Sequence, residues 1–170
     1  MKHVYFMRHG LSLMNQQGVF SSTTDTPLTP EGEEQCRAAG RELRGMPIDV
    51  IVSSPFERAQ HSAEIVAEEL DIDPATIIIN DHFSERSFGP LEGTTYQPNI
   101  EMDDIEGVEH STELIERVSK GLADLRTLEA DSILVVSHGA VGRALRHLLR
   151  PDIPYKGSPK FHNAKVEKLL

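Results

Sequence analysis

Four short runs of near-continuous apolar, largely β-branched residues punctuate the chain, at 3–7, 49–53, 76–80 and 132–137. Runs of this length without polar alternation suit strands buried on both faces of a parallel sheet. Between them, apolar positions recur at helical spacing. Residues 30–44 follow Thr29, a natural N-cap, with Pro30 at the first helical position. In 55–70 the stripe is Ala59, Ala63, Val66 and Leu70, and Ser54, Pro55 and Glu57 predict a capping box at its start. Residues 111–129 place Leu114, Val118, Leu122 and Leu125 on one face. Residues 139–149 do the same with Val141, Ala144, Leu145, Leu148 and Leu149 before Pro151. The end, Asn163 to Leu170, reads as one more strand at a sheet edge.

Strands alternating with helices predict a three-layer α/β/α sandwich with a mostly parallel central sheet and right-handed crossovers. At 170 residues the expectation is one domain, 1–170. Two segments, 10–29 and 81–110, lack periodicity. Loops this long are often functional, and both leave the sheet at strand carboxyl ends, where open α/β sheets bind ligands.

Composition narrows the class. The net charge is −10, with 38% hydrophobic and 26% charged residues. That balance describes an ordinary folded chain and argues against a nucleic-acid or anionic-membrane binder, which needs a basic face. The single cysteine, Cys36, excludes an intramolecular disulfide and reads as a packing residue. With no charged-then-apolar leader and no long apolar stretch, the cytoplasm is the expected compartment.

The chemistry-bearing residues cluster where the strands end. Arg8-His9-Gly10 closes the first strand, and Ser137-His138-Gly139 closes the fourth and opens a helix. Ser53-Ser54-Pro55 follows the second strand, with Arg58 in the first turn of the next helix. There a guanidinium, free N–H groups and the helix dipole would together suit a phosphate. Glu85 to Gly93 follows the third strand and supplies two acids, Glu85 and Glu92. The remaining histidines, His3, His61, His82, His110, His147 and His162, show no metal-ligand spacing.

This ordered set resembles the histidine phosphatase superfamily, which includes cofactor-dependent phosphoglycerate mutases and many small phosphatases. The similarity runs from Arg8-His9-Gly10 and Asn15 through Asp25-Thr26-Pro27-Leu28-Thr29, Gly32 and Gln35. It continues through Ser53-Ser54-Pro55, Arg58-Ala59, Glu85, Gly89 and Glu92-Gly93 to Ser137-His138-Gly139. The resemblance implies that His9 is the nucleophile that becomes phosphorylated. It makes Arg8, Arg58 and His138 the groups that bind the phosphoryl oxygens, assisted by Asn15, and Glu85 the proton donor to the leaving group. It requires no metal and no cofactor. Glu92 is either a structural partner of this segment or the acid in place of Glu85. Asn15 and Ser12 are also suited to holding the loop through side-chain to backbone hydrogen bonds.

Three departures bear on the substrate. The family's Glu-Thr after the first glycine is Leu11-Ser12 here, and its Gly-Trp before the Asp-x-x-Leu-Thr stretch is Ser22-Thr23. The expected lid, around 90–112, is short. From 94 to 116 there is no Lys or Arg but there are Glu101, Asp103, Asp104, Glu106, Glu109, Glu113 and Glu116. An acidic lid is expected to disfavour polyanionic substrates and to favour hydrolysis over mutase chemistry. Arg143 reads as structural or surface, and Lys156 and Lys160 as solvent-exposed. The expected partner is a small phosphorylated metabolite or a phosphoprotein, including a protein phosphohistidine, with no nucleic acid and no membrane involved. A non-catalytic phosphate-binding module is the non-enzymatic alternative.

Overall fold

The computed structural model describes residues 1–170. Its centre is a sheet built from β1 (His3–Arg8), β2 (Val50–Ser53), β3 (Ile78–Ile79), β4 (Ser132–Ser137) and β5 (Val166–Lys168), in the order β3-β2-β4-β1-β5. The pairs β1/β4, β2/β4 and β2/β3 are parallel, and β5 runs antiparallel to β1. Five α-helices accompany it: α1 (Leu13–Gln16), α2 (Pro30–Leu43), α3 (Glu57–Glu69), α4 (Ser111–Thr127) and α5 (Gly139–Leu149).

Strand geometry explains the layering. Successive side chains point to opposite faces, so Val4 and Phe6 with Ile133 and Val135 pack under α4 and α5. Tyr5 and Met7 with Leu134 and Val136 pack under α2 and α3. Every residue of β4 is buried. This is the predicted α/β/α arrangement with a mostly parallel sheet.

Two expectations need correction. The apolar run at 76–80 is not a strand buried on both faces. Only Ile78–Ile79 pairs, at the sheet edge, and both side chains are exposed. A sheet edge has only one neighbour to cover it, and a turn of 3₁₀ helix at Pro74–Thr76 consumes the start of the run. The capping box at Ser54 is also absent: Phe56 is the N-cap of α3 and makes no side-chain cap bond. Thr29, in contrast, caps α2 as predicted, accepting from Gly32 N–H with Pro30 behind it.

The two unpatterned segments are stitched to each other. Phe20 N–H donates to Thr94 O, Gly93 N–H to Phe20 O, and Tyr96 N–H to Gly18 O. This pairing fixes one wall over the carboxyl ends of β1 and β4. No helix is long and apolar enough to cross a membrane.

Candidate active site

His9 lies one residue beyond β1, tied into the sheet by its N–H donating to Ser137 O. Gly10 lets the chain pass directly under α2, because a Cβ there would sit 2.5 Å from Gly32 O. The His9 ring is buried, and its Nδ1 lies 2.7 Å from Gly10 O. A carbonyl can only accept, so Nδ1 carries the hydrogen and Nε2 keeps its lone pair. Burial lowers the His9 pKa well below the ordinary histidine value, and the charges of Arg8 and Arg58 push it the same way. The ring is therefore neutral, with a nucleophilic nitrogen unencumbered.

His138, the N-cap of α5, faces it with ring centroids 5.2 Å apart. Its Nε2 is 2.8 Å from Ser54 Oγ. That hydroxyl also accepts from Phe56 N–H at 3.3 Å, and Nε2 is the only acceptor in reach of its own proton, so the proton points to Nε2. His138 consequently holds its hydrogen on Nδ1, an atom with no hydrogen-bond partner in the protein. Glu85 Oε2 stands 3.6 Å from that Nδ1. Burial lowers the His138 pKa well below normal, with Arg58 next in effect. The contact thus joins a neutral imidazole to a carboxyl group and is not an ion pair.

Arg58 is completely buried. Its Nη1 donates to Thr24 O and to Asp25 Oδ1, both at 3.0 Å, and its Nη2 donates to Ser22 O at 2.8 Å, leaving Nε unpartnered. The expected open helix N-terminus beside it is not open. Asp25 accepts the N–H groups of Glu57 and Arg58, occupying the position an anion would take. Arg8 donates from Nη1 to Phe161 O at 3.1 Å, and its buried Nε is likewise unpartnered. Arg8 Nε, Arg58 Nε and His138 Nδ1 are thus three buried donors without acceptors, a costly condition unless they serve a ligand. The N-terminus of α5 adds a fourth element, since Gly139 and Ala140 line the same pocket and no side chain caps them.

Glu85 lines this pocket as well. Burial raises its pKa, opposed first by the charge of Arg58. The segment carrying it is held by Arg117, whose Nη1 donates to His82 O at 2.8 Å and Ser84 O at 2.9 Å. The same guanidinium pairs with Glu109 at 2.9 Å. Glu92 is not part of this cluster. Its carboxylate accepts from Thr24 N–H and from the Thr23 and Thr24 hydroxyls, so it is the structural partner of the Asp25 loop.

Asn15 lines the pocket while its Oδ1 accepts from Ser12 N–H at 3.4 Å and Asn163 Nδ2 at 3.3 Å, completing the capping box of α1. Asn163 also donates to His9 O at 3.0 Å. Sequence reading missed Asn163, as it missed Arg117, Asp25 and the role of Ser54. Each works through contacts between distant segments, although Asp25 and Ser54 lie within the matched motifs. Ser22 replaces the family's glycine yet keeps a left-handed backbone (φ 51°). Its hydroxyl compensates by donating to Arg86 O and accepting from Phe88 N–H.

The acidic lid also reads differently in three dimensions. Glu101 pairs with Lys156, and Glu109 with Arg117. Asp103 is nearly buried, which opposes its ionisation. Hydrogen bonds from Ser111 and Lys156 outweigh that burial and hold its carboxyl well below the usual range, with Arg86 2.7 Å away. From residues 94–116 only Tyr96 and Met102 line the pocket. Glu101, Asp103 and Glu109 are spent on fastening the segment, and none of the acids from 101 to 116 lines the pocket. Lys156 and Lys160 both stay exposed, as expected, Lys156 ion-paired and Lys160 at the pocket edge, whereas Arg143, expected to be structural or on the surface, also lines the pocket. Cys36 is a buried packing residue whose thiol pKa is raised by that burial.

Comparison with known proteins agrees with this geometry. The model of the histidine phosphatase superfamily (branch 1) matches residues 4–169. The chain belongs to the histidine phosphatase superfamily. Among its relatives, the Bacillus subtilis (strain 168) protein named Uncharacterized phosphatase PhoE is 33% identical over 173 residues, covering 99% of this chain and 88% of its own length. A 2,3-bisphosphoglycerate-dependent phosphoglycerate mutase from Parvibaculum lavamentivorans is 38% identical over 89 residues, covering 51% of this chain and 42% of the mutase. Among solved structures, mycobacterial glucosyl-3-phosphoglycerate phosphatase superposes with a TM-score of 0.86 at 22% identity, over 99% of this chain and 90% of that one. At that identity the likeness speaks for the fold.

Proposed function

We propose that this protein is a phosphomonoesterase that works without a metal, through a phosphohistidine on Nε2 of His9. The observation that carries the reading is the orientation of His9. Its Nδ1 is committed to Gly10 O, and it lines a pocket with Arg8 and Arg58, whose buried Nε atoms lack acceptors, while the unpartnered Nδ1 of His138 lies beside the pocket residue Glu85.

In this mechanism Nε2 attacks phosphorus and the ester P–O bond breaks. Arg8, Arg58 and His138 stabilise the three non-bridging oxygens, with Asn15 assisting at the pocket wall. Charge stabilisation of this kind supplies most of the catalysis of phosphoryl transfer. Glu85, whose protonated form is favoured by burial, donates its proton to the departing alkoxide. The resulting carboxylate then takes a proton from water, whose oxygen attacks the phosphohistidine. Phosphate leaves, and His9 and the protonated Glu85 are regenerated. The chain acts as one domain, with residues 90–112 as a short lid over a pocket of about 350 Å³, a size suited to a small phosphorylated metabolite. A cytoplasmic setting is consistent with this role.

Hydrolysis is favoured over mutase chemistry because the lid turns only Tyr96 and Met102 to the pocket and contributes no basic residue of its own. The test is to incubate the protein with a ³²P-labelled phosphomonoester and quench it. Label that is acid-labile, base-stable and absent from His9→Ala supports the reading. Undiminished p-nitrophenyl phosphate hydrolysis by His9→Ala overturns it. Isomerisation of 3-phosphoglycerate in the presence of 2,3-bisphosphoglycerate would favour the mutase, and phosphate binding without turnover of any ester would favour a binding module.

A further inference from the structure

The pocket holds more cationic charge than one phosphoryl group uses. Its lining carries Arg8, Arg58, Arg143 and Lys160 against a single carboxylate, Glu85, in a chain of net charge −10. Most other basic side chains are ion-paired with acids, Arg86, Arg117, Arg146 and Lys156 among them. Arg143 and Lys160 have no carboxylate within ion-pair distance. Each rests on an aromatic ring instead. The Arg143 guanidinium lies 4.8 Å from the Tyr155 ring centroid, and Lys160 Nζ lies 4.8 Å from that of Tyr96, whose hydroxyl it also touches. Stacking fixes the plane of a guanidinium without consuming its N–H donors, and the only hydrogen bond Arg143 makes is to Tyr155 Oη at 3.5 Å.

Their placement sets them apart from the phosphoryl site while keeping them within reach of its leaving group. Arg143 is four residues along α5 from Gly139, a rise of about 6 Å at 1.5 Å per residue. Lys160 precedes Phe161, whose carbonyl accepts from Arg8. Between them runs a wall of Phe20, Phe88 and Tyr96, with ring centroids 5.1 and 5.3 Å apart around Phe20. A leaving group extending from His9 would pass this wall and reach two fixed, unneutralised cations.

Building on the phosphatase reading, we propose that Arg143 and Lys160 form a second anion-recognising site, and that the substrate is a phosphomonoester whose leaving group bears its own carboxylate or phosphate. The lid, where the notable feature is a lack of basic residues, is not the source of this recognition. It comes from α5 and from the segment preceding β5.

The test compares kcat/KM for phenyl phosphate, 3- and 4-carboxyphenyl phosphate and hydroquinone bisphosphate in the full-length protein and in Arg143→Gln, Arg143→Lys and Lys160→Gln. The readout is the ratio of each anionic ester to phenyl phosphate, in which leaving-group chemistry cancels between enzymes. Arg143→Gln should lower that ratio at least tenfold and Lys160→Gln by a smaller factor. Arg143→Lys should retain part of it, and added salt should compress the wild-type ratio. Loss confined to the carboxyphenyl esters identifies a carboxylate, and loss confined to the bisphosphate a second phosphate. A ratio unchanged by Arg143→Gln and Lys160→Gln for all the anionic esters overturns the second site while leaving the phosphatase reading intact. Wild-type protein inert toward all four esters would overturn the phosphatase reading itself, and this proposal with it.

Discussion

The carboxylate of Asp25 and the guanidinium of Arg58 meet at 3.0 Å, and the same carboxylate caps the helix on which that arginine rides. One side chain thereby sets both the charge balance and the aim of a fully buried cation. Asp25→Ala should destabilise the fold by about 2–3 kcal/mol. This is below the ~3–5 kcal/mol of a fully buried pair because Asp25 is partly exposed. Urea denaturation checks this, and saturating inorganic phosphate should restore part of the loss by binding the native state. Unchanged stability would remove Asp25 from this role.

The two facing imidazoles, His9 and His138, make stability depend on pH. Both have pKa values lowered in the folded state, chiefly by burial. Below the unfolded value of 6.5, the unfolded chain binds protons that the native rings refuse. Their contribution is therefore complete above pH 6.5 and is lost as pH falls toward the folded values, with a slope approaching about 1.4 kcal/mol per pH unit for each ring. Comparing wild type with His9→Gln/His138→Gln between pH 7.5 and 5 should show a shallower decline in the variant. Parallel curves would contradict the assignment of both rings as neutral.

Glu85 carries the opposite sign. Its folded pKa is raised, so the native state favours its protonated form and ionisation at neutral pH opposes folding. Glu85→Gln should raise the melting temperature at pH 7.5, and that advantage should shrink as pH falls through the raised folded value and be gone by the unfolded carboxyl value of 4.5. The same variant should lose roughly 10²–10⁴-fold in kcat on alkyl phosphates and far less on aryl phosphates, whose leaving groups need little protonation. Equal losses on both substrate types would exclude Glu85 as the acid.

Ser54 determines which nitrogen of His138 carries the hydrogen. In Ser54→Ala the ring is released to either tautomer, and kcat should fall about tenfold or more with KM for phosphate esters rising, because the proposed mechanism uses Nδ1–H as a donor to the phosphoryl oxygens. Ser54→Thr keeps the hydroxyl and should recover part of the activity. If Ser54→Ala and Ser54→Thr behave alike, the hydroxyl is not the determinant.

Arg117 ties together three groups: the carbonyls of His82 and Ser84 and the carboxylate of Glu109. Arg117→Met removes their shared donor and should cost about 2–4 kcal/mol, read from urea titrations. Its kcat on alkyl phosphates should fall more than on aryl phosphates, since the segment carrying Glu85 loosens. A stability loss with equal effects on both esters would make Arg117 purely architectural.

The sequence announced what periodicity and motif order encode. Buried strands β1, β2 and β4 appear as apolar runs because both faces are covered, and α2 to α5 appear as stripes because only one face is. Arg8, His9, Arg58, Glu85 and His138 were legible because each falls at or just beyond the carboxyl end of a strand, the side on which a parallel sheet binds ligands. Contacts between segments far apart in the chain were not legible. Asp25 filling the start of α3 silences the anion site that Arg58's position suggests. The acids at 101–109 read as a repulsive lid until their partners Arg86, Arg117 and Lys156, distributed over 70 residues, are seen beside them. Arg143 looked peripheral because nothing local shows that α5 turns it toward the pocket.

The pairing of β5 with β1 has a consequence for the order in which the protein is made. Arg8 and His9 are made long before residues 161–164, yet their carbonyls are bonded by Ala164 and Asn163, and the Arg8 guanidinium is held by Phe161. The strand β1, which leads into His9, is flanked by residues 132–137 on one side and 166–168 on the other. Closing such long loops is slow relative to local helix formation. During translation, then, β1 waits for residues 132–168, and the cluster around His9 closes only once the segment 161–168 docks against it.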